Sequence, residues 1–265
     1  ADGLIHYALC PRFAVSCSGE LLRNVAFLSQ QHNIPVHTHA SENLGETALV
    51  EKEHGLRNIK YLDSLGLCNE RLILAHCIHL QDEEIELLAG SRTNIAHCPG
   101  SNLKLGSGIA RIPELHSRGA CVSLGADGAP CNNNLSMFME MRLAALVQKP
   151  LYGPRSMPAR LVFEMATLGG AKALGLENEV GSLEIGKKAD IAIVSLEGWH
   201  HQPVEGADVY SHLVYQAQAS DVYATIVDGR LLMLNGRLPG LNEDEVKQKA
   251  AEFWVRAVQR TGIRC

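Results

Sequence analysis

Leu72-Ile73-Leu74-Ala75-His76 runs apolar on both faces of an extended chain and closes on an imidazole. A half-exposed strand alternates apolar and polar side chains. An unbroken apolar run fits a strand covered on both sides, as in parallel sheets under helices. Upstream, Ile34, Val36 and Thr38 predict a second strand, with Pro35 tolerated at its start, leading into Val36-His37-Thr38-His39-Ala40-Ser41-Glu42. Downstream, Thr93 to His97 and Cys121-Val122-Ser123-Leu124 predict two more, the latter stopping at Gly125-Ala126-Asp127-Gly128. Leu4 to Leu9 reads as a further strand at the start of the chain.

Helical patterns separate these strands. Ser18 is placed to cap a helix through Leu21, Leu22, Val25 and Leu28 to about Asn33. Others are expected over Leu44 to Glu53, Ile59 to Leu65, Asp82 to Ala89 with acids in its first turn, and Ile112 to His116. The strand Thr93 to His97 ends in Cys98-Pro99-Gly100-Ser101-Asn102. Strand and helix alternate repeatedly, which calls for an α/β protein with a parallel sheet. Arg12, His39, His76, His97 and Asp127 all fall at strand ends. A (β/α)8 TIM-like barrel gathers such tips on one face, and this chain would supply its C-terminal part. An open doubly wound sheet also groups strand ends, but no G-x-G-x-x-G turn is present.

Past Asn134 the texture is helical, over Leu135 to Leu151, Met157 to Leu168 and Ala171 to Leu174. From Val180 it turns to short strands: Ile191-Ala192-Ile193-Val194, then Tyr223 to Val227 and Arg230 to Met233 joined by Asp228-Gly229, a hairpin signal. The expected organisation is a partial barrel over 1–179, a β-rich appendage over 180–241, and a helix over 242–265.

With 265 residues, 46% hydrophobic, the chain can bury one sizeable core. A net charge of -5 without a Lys/Arg cluster argues against a nucleic-acid partner. No run of about 18 apolar residues predicts a membrane span. Ala1-Asp2-Gly3 lacks the basic region of a signal peptide. Eight cysteines, none in C-x-x-C spacing, suggest reduced thiols and a cytoplasmic location.

Among twelve histidines, the strand-tip ones carry the chemistry. His39 and Asp127 offer one nitrogen and one oxygen suited to zinc or ferrous iron. Taken alone, an Asp before Gly is a common turn residue and a strand-end His is often a core residue. His37-x-His39 has the spacing of a second ligand pair, but Glu42 must reach over the tip that carries His39. Glu42 is the candidate acid/base, and His76 the candidate group to orient and deprotonate water. His79 and His97 are weaker candidates. Arg12 beside Phe13 offers a fork donor and an aromatic face for a planar heterocycle.

Together these residues resemble the amidohydrolase superfamily, in the branch of guanine deaminases and methylthioadenosine/S-adenosylhomocysteine deaminases. The matching stretches are His39-Ala-Ser-Glu42, Ala75-His76-Cys77-Ile78-His79-Leu80, His97 to Gly108, Leu124 to Ala129, Met165-Ala166-Thr167 with Gly170-Ala171, and Gly181 to Asp190. Pro11-Arg12-Phe13 with His39-Ala-Ser-Glu42-Asn43 looks more like guanine deaminase, whereas Asn102-Leu103-Lys104-Leu105, Asn132-Asn133-Asn134 and Glu140-Met141-Arg142 look more like the other branch, in which a His commonly takes the position of Arg12. The resemblance implies a metal-bearing barrel that hydrolytically removes an amino group from an N-heterocycle. It assigns metal ligation to His39 and Asp127, acid/base work to Glu42, and steering of water or intermediate to His76, with Asp127 assisting proton transfer.

Members of that family carry a His-x-His pair on their first barrel strand, and no match to it occurs here. The expectation is therefore a fragment of a longer protein, with little activity alone. A homo-oligomer, a dimer, is the expected assembly, with a small N-heterocycle as substrate. The rival readings are a triazine-type chlorohydrolase of the same branch and a non-catalytic barrel remnant. The cytidine-deaminase type of zinc site is excluded, because Pro130-Cys131 is followed by three asparagines rather than completing P-C-x-x-C.

Overall fold

The computed structural model describes residues 4–262. Four strands, β1 (Val36–Ala40), β2 (Leu72–His76), β3 (Asn94–His97) and β4 (Cys121–Leu124), form a parallel sheet in the order β1-β2-β3-β4. Each crossover carries at least one helix: α2 (Leu44–His54) and α3 (Asn58–Ser64) between β1 and β2, α4 (Asp82–Gly90) between β2 and β3, then α5 (Pro99–Lys104) and α6 (Ile112–Ser117) before β4. All five residues of β2 are buried, as its uninterrupted apolar run requires of a central strand. The sheet is thus a parallel β/α arrangement that does not close on itself among the described residues.

The caps follow the sequence. Ser18 Oγ accepts from the Leu21 amide at 3.1 Å and starts α1 (Gly19–His32), which buries Leu22 and Val25 and stops at Asn33 in a left-handed conformation. Gln81 and Glu84 form a reciprocal cap on α4. Glu84 is wholly buried and takes Arg57 as its ion partner at 3.0 Å, so this first-turn acid is structural rather than solvated.

The expected strand Leu4 to Leu9 is corrected. The chain there makes single parallel bridges, Leu9 to Val36 and Phe13 to His39, with irregular backbone between them. Pro11 and a short helical turn, Ala14–Ser16, interrupt the ladder. After β3, Pro99 starts α5 at a position where its missing N–H costs nothing. The helix expected over Leu135 to Leu151 divides into Met137–Val147 and Lys149–Tyr152.

A second, antiparallel sheet follows in the order β5-β6-β7: β5 (Ile191–Val194), β6 (Val222–Val227) and β7 (Arg230–Leu234). The Asp228-Gly229 turn joins β6 to β7, both residues having positive φ as a two-residue hairpin of this type demands. The helix Glu243–Thr261 follows, with no buried residue. No helix among the described residues is long and apolar enough to cross a membrane.

Candidate metal centre

Parallel register delivers the strand tips to one end of the sheet. His39 pairs with Ala75 and Ala40 with His76, so the two imidazoles leave neighbouring strands almost level. Their rings stack at 5.5 Å between centroids. Asp127 follows β4 by three residues. Donor atoms of His39, His76 and Asp127 lie within 4.8 Å of one another.

Each donor is aimed by a partner behind it. His39 Nδ1 donates to the Arg12 carbonyl at 2.7 Å, which leaves Nε2 with its lone pair. His76 Nδ1 donates to Asn102 Oδ1 at 2.8 Å, and its Nε2 is buried without a hydrogen-bond partner among the described residues. Asp127 Oδ2 accepts from Ser101 Oγ at 2.5 Å and Oδ1 from the Gly128 amide at 2.6 Å. Burial pushes the Asp127 carboxyl up, but these hydrogen bonds and the two histidines outweigh it and hold it below the usual carboxylate range. It is therefore an anion at neutral pH.

The backbone at these tips is strained. Ser41, His76, Cys77 and Asp127 all have φ between 49° and 74°, a region non-glycine residues seldom occupy. Each such residue costs about 1–3 kcal/mol and persists because its surroundings impose it. Glu46 is part of that imposition: its carboxylate accepts from the amides of Ser41 at 3.2 Å and Glu42 at 2.8 Å. Glu42 thereby stands over the cluster, with Oε2 3.8 Å from His76 Nε2 and Oε1 accepting from Ser107 Oγ at 3.3 Å.

The other sequence candidates take different places. Arg12 is exposed, its guanidinium 5.7 Å from the Phe13 ring centroid, and it reaches the cluster only through its carbonyl. Phe13 meets His39 edge-on at 6.3 Å. His37 lines an open cavity of about 1100 Å³ together with Ile73 and Ala96, which does not include His39, His76 or Asp127. His79 is tied to the Ser107 carbonyl at 2.8 Å. His97 is fully buried with both ring nitrogens unpartnered among the described residues, and burial, then His76, pushes its pKa down to about 3.

Sequence reading missed the supports. Ser101 and Asn102 hold Asp127 and His76 from the first turns of α5. Glu140, also wholly buried, accepts from the Gly100 amide at 2.9 Å and from Asn132 Nδ2 at 2.8 Å and so fixes that helix. A side chain at Gly100 would collide with Glu140. The available signals were the matches over His97 to Gly108, Asn132-Asn133-Asn134 and Glu140-Met141-Arg142, which carried no role for these residues.

Two imidazole nitrogens with free lone pairs and an ionised carboxylate fit a divalent cation such as zinc. His76 Nε2, buried and without a partner, marks the spot where a polar guest is wanted.

Comparison with known proteins shows the family. The chain is 39% identical over 262 residues to the 5-methylthioadenosine/S-adenosylhomocysteine deaminase of Thermodesulfovibrio yellowstonii, covering 98% of this chain and 59% of that protein. It is 43% identical over 251 residues to the 5'-deoxyadenosine deaminase of Methanothermobacter thermautotrophicus, covering 94% and 58%. The chain thus spans less than two thirds of either relative. An adenosine deaminase from Xanthomonas campestris with bound zinc superposes with a TM-score of 0.93 at 34% identity, covering 96% of this chain and 58% of that one. An atrazine chlorohydrolase from Arthrobacter aurescens complexed with zinc gives 0.86 at 28%, covering 92% and 54%. Residues 1–232 match the family model described as "Amidohydrolase family", and the chain belongs to that family.

Proposed function

We propose that this chain is the metal-holding and proton-handling portion of a hydrolytic deaminase acting on an adenosine derivative. The observation that supports this most is the convergence of His39, His76 and Asp127 within 4.8 Å at the tips of one parallel sheet, with Glu42 beside them. The relatives named for deamination of methylthioadenosine, S-adenosylhomocysteine and 5'-deoxyadenosine support the substrate class.

His39 Nε2 and an Asp127 oxygen would hold one divalent cation, zinc by likeness to the zinc-bearing neighbours and iron as the alternative. When bound, such a cation acts as a Lewis acid and makes water a nucleophile near neutral pH. Glu42 takes a proton from the attacking water and delivers it to the leaving nitrogen, so that ammonia departs. His76, its tautomer fixed by Asn102, keeps Nε2 toward Glu42 and orients the water and the oxygen forming on the ring carbon. Asp127 stays ionised and assists the proton transfer. Arg12, Phe13 and Glu42 contact the planar base, through a fork donor, an aromatic face and a carboxylate.

The residue spans 1–179, 180–241 and 242–265 are our domain division, following the two sheets and the final helix. We place the protein in the cytoplasm, since the seven described cysteines are all unpaired. We assign it a dimeric state, supported by Phe253 and Trp254, which are exposed on the final helix. Neither nucleic acid nor membrane is a proposed partner.

The likeness to the atrazine chlorohydrolase favours a second reading, halide release from a triazine, which the higher identity to the deaminases places second. A zinc-loaded longer protein that contains residues 1–265 should release ammonia from 5'-methylthioadenosine, S-adenosylhomocysteine or 5'-deoxyadenosine, while residues 1–265 alone should show little turnover. Chloride from a chlorotriazine, with no ammonia from any aminopurine nucleoside, would overturn the deaminase reading.

A further inference from the structure

The chain holds a second group of two imidazoles and a carboxylate, outside the parallel sheet. His200 and His201 sit on the short turn Trp199–His201, and Asp221 ends the turn Ala219–Asp221 that leads into β6. His200 Nε2 lies 3.0 Å and His201 Nε2 3.3 Å from the same oxygen, Asp221 Oδ2. The donor atoms of the three residues are all within 4.8 Å of one another. We propose that His200, His201 and Asp221 form a second site for a divalent transition-metal cation, of the class of zinc, cobalt, nickel or copper.

The spacing is that of ligands already gathered. Donors bound at 2.0–2.1 Å with tetrahedral angles stand about 3.3 Å apart, which matches the two nitrogen–oxygen separations. Asp221 is held for the task, because the Gln218 amide donates to Oδ2 at 2.8 Å. His201 and Asp221 are largely buried, while the His200 side chain is 39% exposed, so a cation can enter from solvent on the His200 side. Two histidines and a carboxylate with a position left open suit these metals rather than calcium or magnesium, which prefer oxygen ligands.

Two orphaned nitrogens behind the cluster support the assignment. His201 is wholly buried and its Nδ1 has no partner among the described residues. The ring of His212 lies 5.8 Å away; its Nδ1 donates to Gln216 Oε1 at 2.5 Å, so its buried Nε2 is an acceptor with no donor. Without a metal, the single proton of neutral His201 goes to Nε2 to meet Asp221, and Nδ1 becomes a second donorless acceptor. Ligation through Nε2 moves that proton to Nδ1, which is then no longer a buried lone acceptor facing the His212 ring. A doubly protonated His201 is the competing explanation.

Cobalt titration of the metal-free chain, followed by visible d–d absorption, separates the two. The double variant H39A/D127N, which lacks the donors at the sheet tips, should still bind one Co²⁺. H200A should lose at least tenfold in the affinity of that binding while keeping the circular dichroism and melting temperature of the metal-free chain. His200 is exposed and its truncation removes no core packing, and H200Q provides the conservative check. Should H39A/D127N bind no cobalt, or H200A and H200Q titrate like the unaltered chain, the site is a protonated hydrogen-bond cluster and the proposal is wrong.

Discussion

The His39–His76–Asp127 and His200–His201–Asp221 clusters use the same three side-chain types and are built in opposite ways. The first collects its donors from β1, β2 and the segment after β4, across 88 residues of chain, and keeps them facing one point while each bonds to something behind it. Its lone pairs are left free. The second collects adjacent residues from one turn and a carboxylate 20 residues on, and its donors bond to each other. The first is organised by the sheet, at the cost of left-handed backbone at three strand tips. The second is local and self-satisfied on its front side. Chemistry belongs where the free lone pairs are, and storage or bracing where the donors already have partners.

The largest way to test that difference is Glu42→Gln. The first cluster alone has a carboxylate poised over it, so kcat for ammonia release should fall by about 10²–10⁴, with bound metal unchanged. An equal loss of metal would make Glu42 a ligand rather than the proton carrier. Next in size is Asn102→Leu, which strips His76 of the acceptor that fixes its tautomer. Replacing a partner of this kind costs about 10–100-fold in metal affinity or activity, and kcat should move more than KM. A change confined to thermal stability would reduce Asn102 to packing.

Much of this was legible beforehand, and what was not has a physical reason. The four parallel strands and the cap at Ser18 are written in short-range pattern, and His39, His76, His97 and Asp127 lie where β1, β2, β3 and β4 end, whereas Arg12 follows a stretch that pairs only through single bridges. The supports escaped because their meaning depends on burial. Glu46, Glu84 and Glu140 look like the solvated acids of amphipathic helices, yet all three are buried and bind backbone amides. Ser101 and Asn102 follow Pro-Gly and read as turn residues. Leu4 to Leu9 has the composition of a strand, but pairing failed beyond one bridge, something only the neighbouring chain decides. The His200–His201 pair was visible; its partner Asp221 was not, since nothing in the intervening sequence brings it back.

A smaller effect should appear in stability against pH, and it belongs to the first cluster alone. His97 is fully buried, with a pKa lowered to about 3 in the fold, by burial first and then by His76, against 6.5 when unfolded. The unfolded chain therefore binds one more proton between those values. Stability present above pH 6.5 is lost progressively as pH falls toward 3, with a slope of up to about 1.4 kcal/mol per pH unit from this residue. Urea unfolding of His97→Leu should show a flatter profile over that window than the unaltered chain, and parallel profiles would mean that His97 is protonated in the fold.

The smallest effect expected probes the back of the second cluster. Gln216→Leu removes the acceptor that fixes Nδ1–H on His212. Losing such a hydrogen bond costs about 0.5–1.5 kcal/mol, so cobalt affinity at His200, His201 and Asp221 should weaken by no more than about tenfold, with no change at the sheet tips. Because His212 touches no proposed ligand atom directly, any loss must travel through the proton that ligation places on His201 Nδ1. Unchanged affinity together with an unchanged His201 tautomer by NMR would leave the front-side donors acting alone and detach His212 from the site.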